Sequence, residues 1–273
     1  MSAPPVAKTP KLFINGAFAR SESGRVYQTT GRVNVPRASR KDLRDAVGAA
    51  RKAQLGWGAR TAYNRGQVLY RIAEMMEAGR GQVVDSLGGG RAAAGELDRC
   101  LGSLVFFAGV ADKLVQLGGS VNSVAGPYFN FTIPEPVGVV VLVAPQQPAL
   151  LPLVTGLAAA VCGGNAAVAI VSQIDPLPGL LLGELLQIGD LPPGVAALLS
   201  GIRTELLPWA GSHRDVDLLD ACGCTSEEWT GLALAASDSV KRVLPPTPAP
   251  SRPTPELALR CMELKTVWHP VGS

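Results

Sequence analysis

The sequence has little charge and almost no histidine. Only 17% of its 273 residues are charged, and the formal net charge is +3. These charges are scattered, so the chain lacks the clustered basic footprint that nucleic-acid binding requires. The two imidazoles, His213 and His269, do not stand at metal-ligand spacing, so we expect no metal site. A hydrophobic content of 47% can bury a sizeable core, which predicts one large domain or two smaller ones.

The sequence also lacks a disulfide framework. Its five cysteines form an odd set without regular spacing, and several lie in apolar runs. They are Cys100, Cys162, Cys222, Cys224 and Cys261. A reduced thiol in such a run behaves as a small hydrophobe, which predicts a reducing, cytosolic compartment. The Cys222-x-Cys224 pair could suggest a metal site, but it has no suitably spaced histidine. We therefore interpret both as core or near-core thiols.

Residues 136–174 contain no charge, and their hydropathy alone would suit a membrane span. Three prolines and the pair Gly163-Gly164 divide this run into segments too short to cross a bilayer. A buried strand, a helix and a second buried strand explain the run better. At the N-terminus, Met1 to Pro10 contain no apolar h-region, so we expect no secretory signal. The expected partners include neither membrane nor nucleic acid.

Local signals in the first half of the chain predict a hairpin followed by helices. Asn15-Gly16, placed between apolar residues, is typical of a tight β-hairpin that begins at Leu12. Ser39 and Asp42 have capping-box spacing, which predicts a first helix over about residues 40 to 57. Apolar residues at helical spacing predict two further helices, over 65–79 and 94–116.

The second half alternates between strand and helix patterns. Residues 129–133 alternate apolar and polar side chains, which is a strand period. Further buried strands are predicted over 137–144, 166–171, 195–199 and 216–222, with helices between them. This alternation indicates an α/β fold with a Rossmann-like, doubly wound and mostly parallel sheet, which would bind ligands at the carboxyl ends of its strands. Six prolines between 245 and 255 predict an extended linker, followed by a strand over 262–269.

Several segments resemble the aldehyde dehydrogenases. Glu135-Pro136-Val137-Gly138-Val139-Val140 is similar to the strand that opens the family's nucleotide-binding core, and the likeness continues without a gap to Gly164-Asn165. Six further segments of this chain resemble other segments of the family, namely residues 12–16, 106–113, 191–195, 235–237, 240–243 and 263–267. The resemblance therefore covers almost the whole chain from residue 11, in two pieces.

The resemblance implies three parts. Residues 1–123 and 137–244 correspond to an NAD-binding-like α/β domain, and 245–255 to a proline-rich linker. Residues 124–136 and 256–273 correspond to the bridging or oligomerisation arm, which in the family extends the catalytic-domain sheet of a neighbouring subunit. Between Val243 and Glu263 the family places its catalytic domain, where this chain has nineteen residues. This arrangement is most similar to the degenerate C-terminal domain of aldehyde dehydrogenase family 16, so the catalytic domain is expected to be absent.

Aldehyde oxidation needs a thiolate nucleophile, a carboxylate base, an amide that binds the oxyanion, and a nicotinamide. The resemblance places the nucleophile in the missing segment and the base directly after Val243, where this chain has Leu244-Pro245-Pro246-Thr247. The oxyanion motif Pro-Trp-Asn aligns with Pro145-Gln146-Gln147, and Gln147 moves the amide by one methylene. We expect no catalytic residue.

The cofactor motifs also depart from the family pattern. Its Lys-Pro-Ser-Glu motif, which holds the ribose, aligns with residues running from Ile170 to Gln173, so the lysine has become aliphatic. Its Gly-Ser-Thr turn aligns with Gly223-Cys224-Thr225, and the following Glu227 and Glu228 would repel phosphate at the helix N-terminus. The vestigial positions of an NAD site are Pro145, Gln147, Ile170, Gln173, Gly223 and Cys224, and no cofactor is expected.

These expectations favour a non-catalytic, pseudoenzyme domain that serves assembly. Its partner would be a second copy, or an aldehyde dehydrogenase catalytic domain in the same or another chain. The alternative is an NAD(P)-dependent oxidoreductase or a nucleotide sensor that retains weak cofactor binding through Gly223 and the strand–helix frame. A new active site, different from that of the family, would have to use His213, Asp217, Asp220 and Cys224. The sequence does not indicate that these four residues lie close together.

Overall fold

The structure is a computed structural model and describes residues 8–247 and 252–271. Its strands are β1 (Leu12–Ile14), β2 (Ala17–Ala19), β3 (Val26–Gln28), β4 (Asn34–Pro36), β5 (Ser120–Asn122), β6 (Tyr128–Pro136), β7 (Val139–Val143), β8 (Ala166–Ile170), β9 (Ala196–Leu199), β10 (Leu218–Asp220), β11 (Arg242–Leu244) and β12 (Met262–Pro270). Its α-helices are α1 (Arg40–Gly58), α2 (Ala62–Ala78), α3 (Arg80–Ser86), α4 (Gly90–Val110), α5 (Leu114–Gly118), α6 (Leu151–Cys162), α7 (Leu177–Ile188), α8 (Arg203–Ser212), α9 (Ser226–Ala236) and α10 (Pro255–Leu259).

A seven-stranded mixed sheet lies at the centre of the fold, in the order β11-β10-β7-β8-β9-β1-β2. The strands from β11 to β9 pair in parallel, whereas β1 pairs antiparallel with both β9 and β2. Successive strands of the parallel part are joined by helices, as parallel pairing requires. The prediction of an α/β fold with a mostly parallel sheet is confirmed.

Helices cover both faces of this sheet. Val139, Val141 and Val143 of β7 belong to a buried cluster shared with α1, α8 and α9. The alternate residues Val140 and Leu142 belong to a second cluster, shared with α2, α4, α6 and α7. Because successive side chains of a strand point to opposite faces, the uninterrupted apolar run of β7 supplies both layers. The uncharged run at 136–174 is thus built around β7, α6 and β8, which confirms the predicted strand, helix and strand.

The helical stretch from Gly90 to Gly118 is long and apolar enough, by composition, to cross a membrane. It consists of α4, a 3-10 turn at Ala111–Lys113 and α5. Leu97, Leu104 and Phe107 on α4 are buried in the core, where α4 packs against α2 and α6. This internal packing accounts for the apolar composition of the inner face.

The local signals near the N-terminus are borne out. Strands β1 and β2 pair through a turn in which Asn15 and Gly16 both have positive φ, 52° and 74°, as a type I′ hairpin requires. Helix α1 begins at Arg40 behind a complete capping box, in which Asp42 N donates to Ser39 Oγ and Ser39 N to Asp42 Oδ2. The small hairpin of β3 and β4 and the short helices α3 and α10 were not predicted.

A separate three-stranded sheet, here called the arm sheet, has the order β12-β6-β5. Strands β6 and β12 pair antiparallel over their whole length, from Met262 opposite Pro136 to Pro270 opposite Tyr128. On its other side β6 pairs with β5, which lies before the domain boundary that we expected at residue 123. The proline-rich linker falls partly on residues 248–251, outside the described residues, and its last residue opens α10, which packs against α5 and α6.

Candidate functional site

Loops that follow β7, β8 and β10 meet at the carboxyl edge of the central sheet, where doubly wound sheets bind ligands. Pro145 and Gln147 lie on the first loop, Gln173 on the second, and Gly223 and Cys224 on the third. Ile170 is the last residue of β8. All six positions singled out in the sequence are therefore grouped at one edge of the sheet.

Gly223 brings the first and third loops into backbone contact. Its N–H donates to the carbonyl of Val143 at 2.9 Å. A Cβ at this position would lie 2.2 Å from the carbonyl carbon of Ala144, and it could not be relieved by moving a flexible side chain. Only glycine fits this close approach, which leaves no space between the two loops.

The polar side chains of the first two loops are bonded to each other. Oε1 of Gln146 accepts from the backbone N–H groups of Gln173 at 2.9 Å and Ile174 at 3.2 Å. The side chain of Gln173 in turn accepts from the backbone N–H of Arg203 at 3.0 Å. The side chain of Ile170, at the end of β8, is fully buried within the core cluster and offers no polar group at the edge. The side-chain oxygens of Gln146 and Gln173 are thus engaged within the protein.

Arg203, the first residue of α8, lies at the centre of the site and was missed in the sequence. Its side chain is only 3% exposed. Nη1 donates to the carbonyl of Gly223 at 2.7 Å, and Nη2 donates to the carbonyl of Ala144. Nη1 also lies 3.5 Å from Oε2 of Glu228, whereas Nε has no partner among the described residues. The one available signal was its position, shortly after a buried strand at the carboxyl edge.

The N-terminus of α9 is closed by its own side chains. Thr225 N donates to Oε2 of Glu228 at 2.9 Å, and Glu228 N donates to Oγ1 of Thr225 at 3.1 Å. Together these bonds form a capping box. The expected place of Glu227 and Glu228 in the first helical turn is confirmed. A carboxylate therefore occupies the position at which helix N–H groups and the helix dipole favour an anion.

A second carboxylate lies at the N-terminus of α6. Oε1 of Glu96 accepts from the backbone N–H groups of Leu150 at 3.1 Å and Leu151 at 3.0 Å. Nearby, burial raises the pKa of Asp175, while a hydrogen bond from Gln147 opposes this shift and the charge of Glu96 adds to it. The N-terminus of α6, like that of α9, is therefore occupied by a carboxylate of the chain.

Residues 24–244 match the family model described as the aldehyde dehydrogenase family. The chain belongs to this family. An aldehyde dehydrogenase from Davidiella tassiana is 33% identical over 244 residues, which cover 85% of this chain and 49% of that protein. Retinal dehydrogenase 2 from Mus musculus is 34% identical over 251 residues, which cover 86% and 48%. The chain thus spans about half the length of the curated relatives it matches.

Solved structures of aldehyde dehydrogenases have the same fold. A Burkholderia cenocepacia structure assigned to these enzymes matches with a TM-score of 0.81 and 27% identity, covering 86% of this chain and 50% of that one. The NAD+ complex of an aldehyde dehydrogenase from Bacillus cereus matches with a TM-score of 0.79 and 24% identity, over the same shares. At this identity the second likeness concerns the fold alone.

In this aldehyde dehydrogenase family member, burial raises the pKa of every cysteine. The pKa is raised to about 12 for Cys162, Cys224 and Cys261, and is also raised for Cys100 and Cys222. All are free thiols; Cys222 is half-buried and the others are buried, which confirms the prediction of core or near-core thiols. Within the described residues, no group of three or more His, Cys, Asp or Glu side chains could hold a metal ion.

The four residues considered for a new active site lie at opposite ends of β10. Asp217 precedes the strand, where it accepts from Val139 N at 2.7 Å and pairs with Arg51 at 2.5 Å. His213 is on the same side, and its pKa is lowered mainly by burial. Asp220 and Cys224 lie at the other end, and Asp220 accepts from Cys222 N at 3.0 Å. The fold separates the two pairs, so they form no common site.

Proposed function

We propose that this chain is a non-catalytic member of the aldehyde dehydrogenase family that serves assembly or protein–protein interaction. The observation that carries the proposal is the burial of the thiols, of which four are buried and Cys222 is half-buried. Aldehyde oxidation by this chemistry needs a thiolate nucleophile, and burial raises the pKa of all five cysteines. Near neutral pH each of them is a protonated side chain.

The polar contacts at the sheet edge support the same proposal. Binding of a dinucleotide would need free donors and acceptors there, but Gln173 is bonded to the backbone of Arg203. Ile170 offers only a buried aliphatic side chain in place of the family's ribose-binding lysine. Glu228 closes the helix N-terminus that would otherwise accept phosphate. We therefore propose that the chain has no resident cofactor and that its NAD site is vestigial.

The arm sheet supports a role in assembly. Among the described residues, β12 pairs on one side only, with β6, so its outer edge is open over nine residues. Leu264 is 65% exposed and Trp268 59% exposed on this strand. An exposed apolar edge strand tends to recruit another strand, and a small sheet is marginally stable alone. The proposed partners are a second copy and the catalytic domain of an aldehyde dehydrogenase, in the same or another chain.

The connection between β11 and β12 bears on which type of aldehyde dehydrogenase domain this chain represents. The segment between β11 and β12, residues 245–261, is too short in sequence to hold a catalytic domain. This short connection resembles that of the degenerate C-terminal domain of aldehyde dehydrogenase family 16. We accordingly place the chain with that type of domain, which accompanies an active unit.

The assembly role is tested by placing positive charge on the arm edge. Leu264→Lys combined with Trp268→Lys should weaken self-association, or capture of a family 16 catalytic unit, by at least about tenfold, because lysines discourage strand pairing and remove apolar contact. Light scattering of the eluting protein and co-purification provide the measurements. The matched control is Leu55→Lys, at a leucine on α1 that is 73% exposed. Equal association of the two variants would show that the arm is not the interface.

The absence of catalysis is tested separately on the unaltered protein. Calorimetry with NAD+ and an assay of aldehyde oxidation should give no micromolar affinity and no turnover above the buffer rate. Micromolar binding without turnover would instead support the nucleotide sensor, and turnover would support an oxidoreductase.

A further inference from the structure

We infer that Arg203 and Glu228 form an internal ion pair that occupies the anion-binding end of the former nucleotide cleft. The inference rests on the proposed function, in which the cleft no longer takes a dinucleotide. It goes further because it assigns the closure of the cleft to a specific pair of side chains. It also implies that one of them, Glu228, stands in for the phosphate.

The N-terminus of α9 is occupied by a negative charge that belongs to the chain. This helix has eleven residues and follows a glycine-containing turn directly at the carboxyl edge of the sheet. The N–H groups and dipole of such a terminus favour a negative charge. The negative charge found there belongs to the chain, because Glu228 accepts from Thr225 N at 2.9 Å.

Arg203 is buried and has Glu228 as its ionic partner. A buried charge is costly unless it is paired and hydrogen-bonded. The guanidinium is 3% exposed, and the only carboxylate that it pairs with among the described residues is that of Glu228, at 3.5 Å. The carbonyls of Gly223 and Ala144 accept two further hydrogen bonds. The ion pair therefore explains how a guanidinium can remain in the core of the site.

The buried guanidinium of Arg203 has no second counterion in the part of the chain that the structure describes. Its Nε has no acceptor among the described residues. Removal of the Glu228 carboxylate would leave the guanidinium charge unpaired, with Nη1 3.5 Å from the position of the lost oxygen, and would leave Thr225 N without its acceptor. An unpaired buried guanidinium beside free N–H groups of a helix N-terminus favours an anion. The geometry thus predicts that loss of one carboxylate reopens an anion site, with no new positive charge added.

The experiment compares Glu228→Ala with Glu228→Gln and the unaltered chain, using inorganic pyrophosphate at constant ionic strength. Gln retains an oxygen that can cap Thr225, so this variant controls for removal of charge alone. Pyrophosphate at tenfold excess over its dissociation constant should raise the melting temperature of Glu228→Ala by about 3 °C. The unaltered chain should show no shift, and Glu228→Gln a smaller one. Adding Arg203→Ala to Glu228→Ala should abolish the response.

The inference is wrong if the unaltered chain responds as strongly as Glu228→Ala, or if Glu228→Ala does not respond. It is also wrong if the response persists without Arg203. Near-UV circular dichroism shows whether each variant is folded, and Glu228→Ser replaces Glu228→Ala under the same criteria if the latter is not. None of these outcomes depends on NAD+ binding or turnover by the unaltered chain. The proposed function can therefore stand if this inference fails.

Discussion

The carboxyl edge of the central sheet and the arm sheet use their hydrogen-bonding groups in opposite ways. At the carboxyl edge, Arg203, Gln146 and Gln173 bond to backbone groups of neighbouring loops. In the arm sheet, Thr132 and Thr266 bond across the two long strands, but the outer edge of β12 has no partner among the described residues. The polar groups named at the carboxyl edge are thus mostly paired within the chain, whereas, within the described residues, the outer backbone edge of β12 is not.

This difference separates two kinds of residual function. A ligand site requires groups that are exposed and unpaired before the ligand arrives, and a docking edge requires the same of its backbone. Under the proposed function the carboxyl edge no longer meets that requirement, because the oxygens of Gln146, Gln173 and Gly223 already accept hydrogen bonds within the chain. The arm sheet still meets it. Changes at the carboxyl edge should therefore alter the stability of the monomer, and changes in the arm its association.

The sharpest test of the closed edge is Gly223→Ala. The added Cβ would lie 2.2 Å from a backbone carbonyl carbon, so the two loops must separate, and we expect a loss of about 3 kcal/mol in the free energy of unfolding. Urea denaturation provides the measurement. The control is Gly231→Ala within α9, where an added Cβ would meet no atom of another element within 4 Å and where we expect a gain of about 0.5 to 1 kcal/mol. Similar values for both variants would refute the close contact.

An intermediate effect is expected from Arg242→Ala, because this residue joins the central sheet to the arm sheet. From β11, Arg242 donates to the carbonyls of Arg260 and Met262, both at 3.0 Å, and to Glu263 at 2.6 Å. Its removal should cost about 1 to 2 kcal/mol and speed amide hydrogen exchange in β12 but not in β7.

The matched control for this change is Arg71→Ala, which breaks only an exposed pair with Glu74 on α2. We expect it to cost less than about 0.5 kcal/mol. If β12 exchanges at the same rate in both variants, Arg242 does not anchor the arm.

The smallest effect is expected from Asp220→Asn. Burial raises the pKa of Asp220 above its ordinary 3.8, so its ionised form destabilises the folded state at neutral pH. This penalty disappears as the pH falls through the raised value towards 3.8. Asparagine keeps an oxygen to accept from Cys222 N, so the variant should melt higher at pH 7, by a margin that shrinks on acidification. Asp238→Asn, at an exposed position, serves as the control for the change of residue type. A margin for Asp220→Asn that stays constant with pH would contradict the assignment.

The parts of the fold that the sequence predicts are those set by nearby residues. The hairpin at Asn15-Gly16 and the capping box of Ser39 and Asp42 depend on groups only a few positions apart. The buried strands of the parallel sheet are continuous apolar runs, a signal that also needs no distant partner. By contrast, β3 and β4 have three residues each, too few for a clear alternation.

The site itself could be predicted only in part. Resemblance identifies Ile170, Gly223 and Glu228 as positions of interest, and all three lie at the carboxyl edge or beside it. Arg203 could not be found in this way, because arginine is normally a surface residue. Its burial depends on the carbonyls of Ala144, 59 positions away, and Gly223, 20 positions away. Such a contact exists only once the sheet has brought the loops together.

The pairing of β12 with β6 also determines when the arm sheet can be completed during synthesis of the chain. Asn122 and Asn130, which bond between β5 and β6, stand eight positions apart, whereas Thr132 and Thr266 stand 134 apart. During synthesis the first pair of strands is available early, and the last strand emerges after every strand of the central sheet. Pairings between distant segments also form slowly. The arm can therefore present its outer edge to a partner only after every strand of the central sheet has been synthesised.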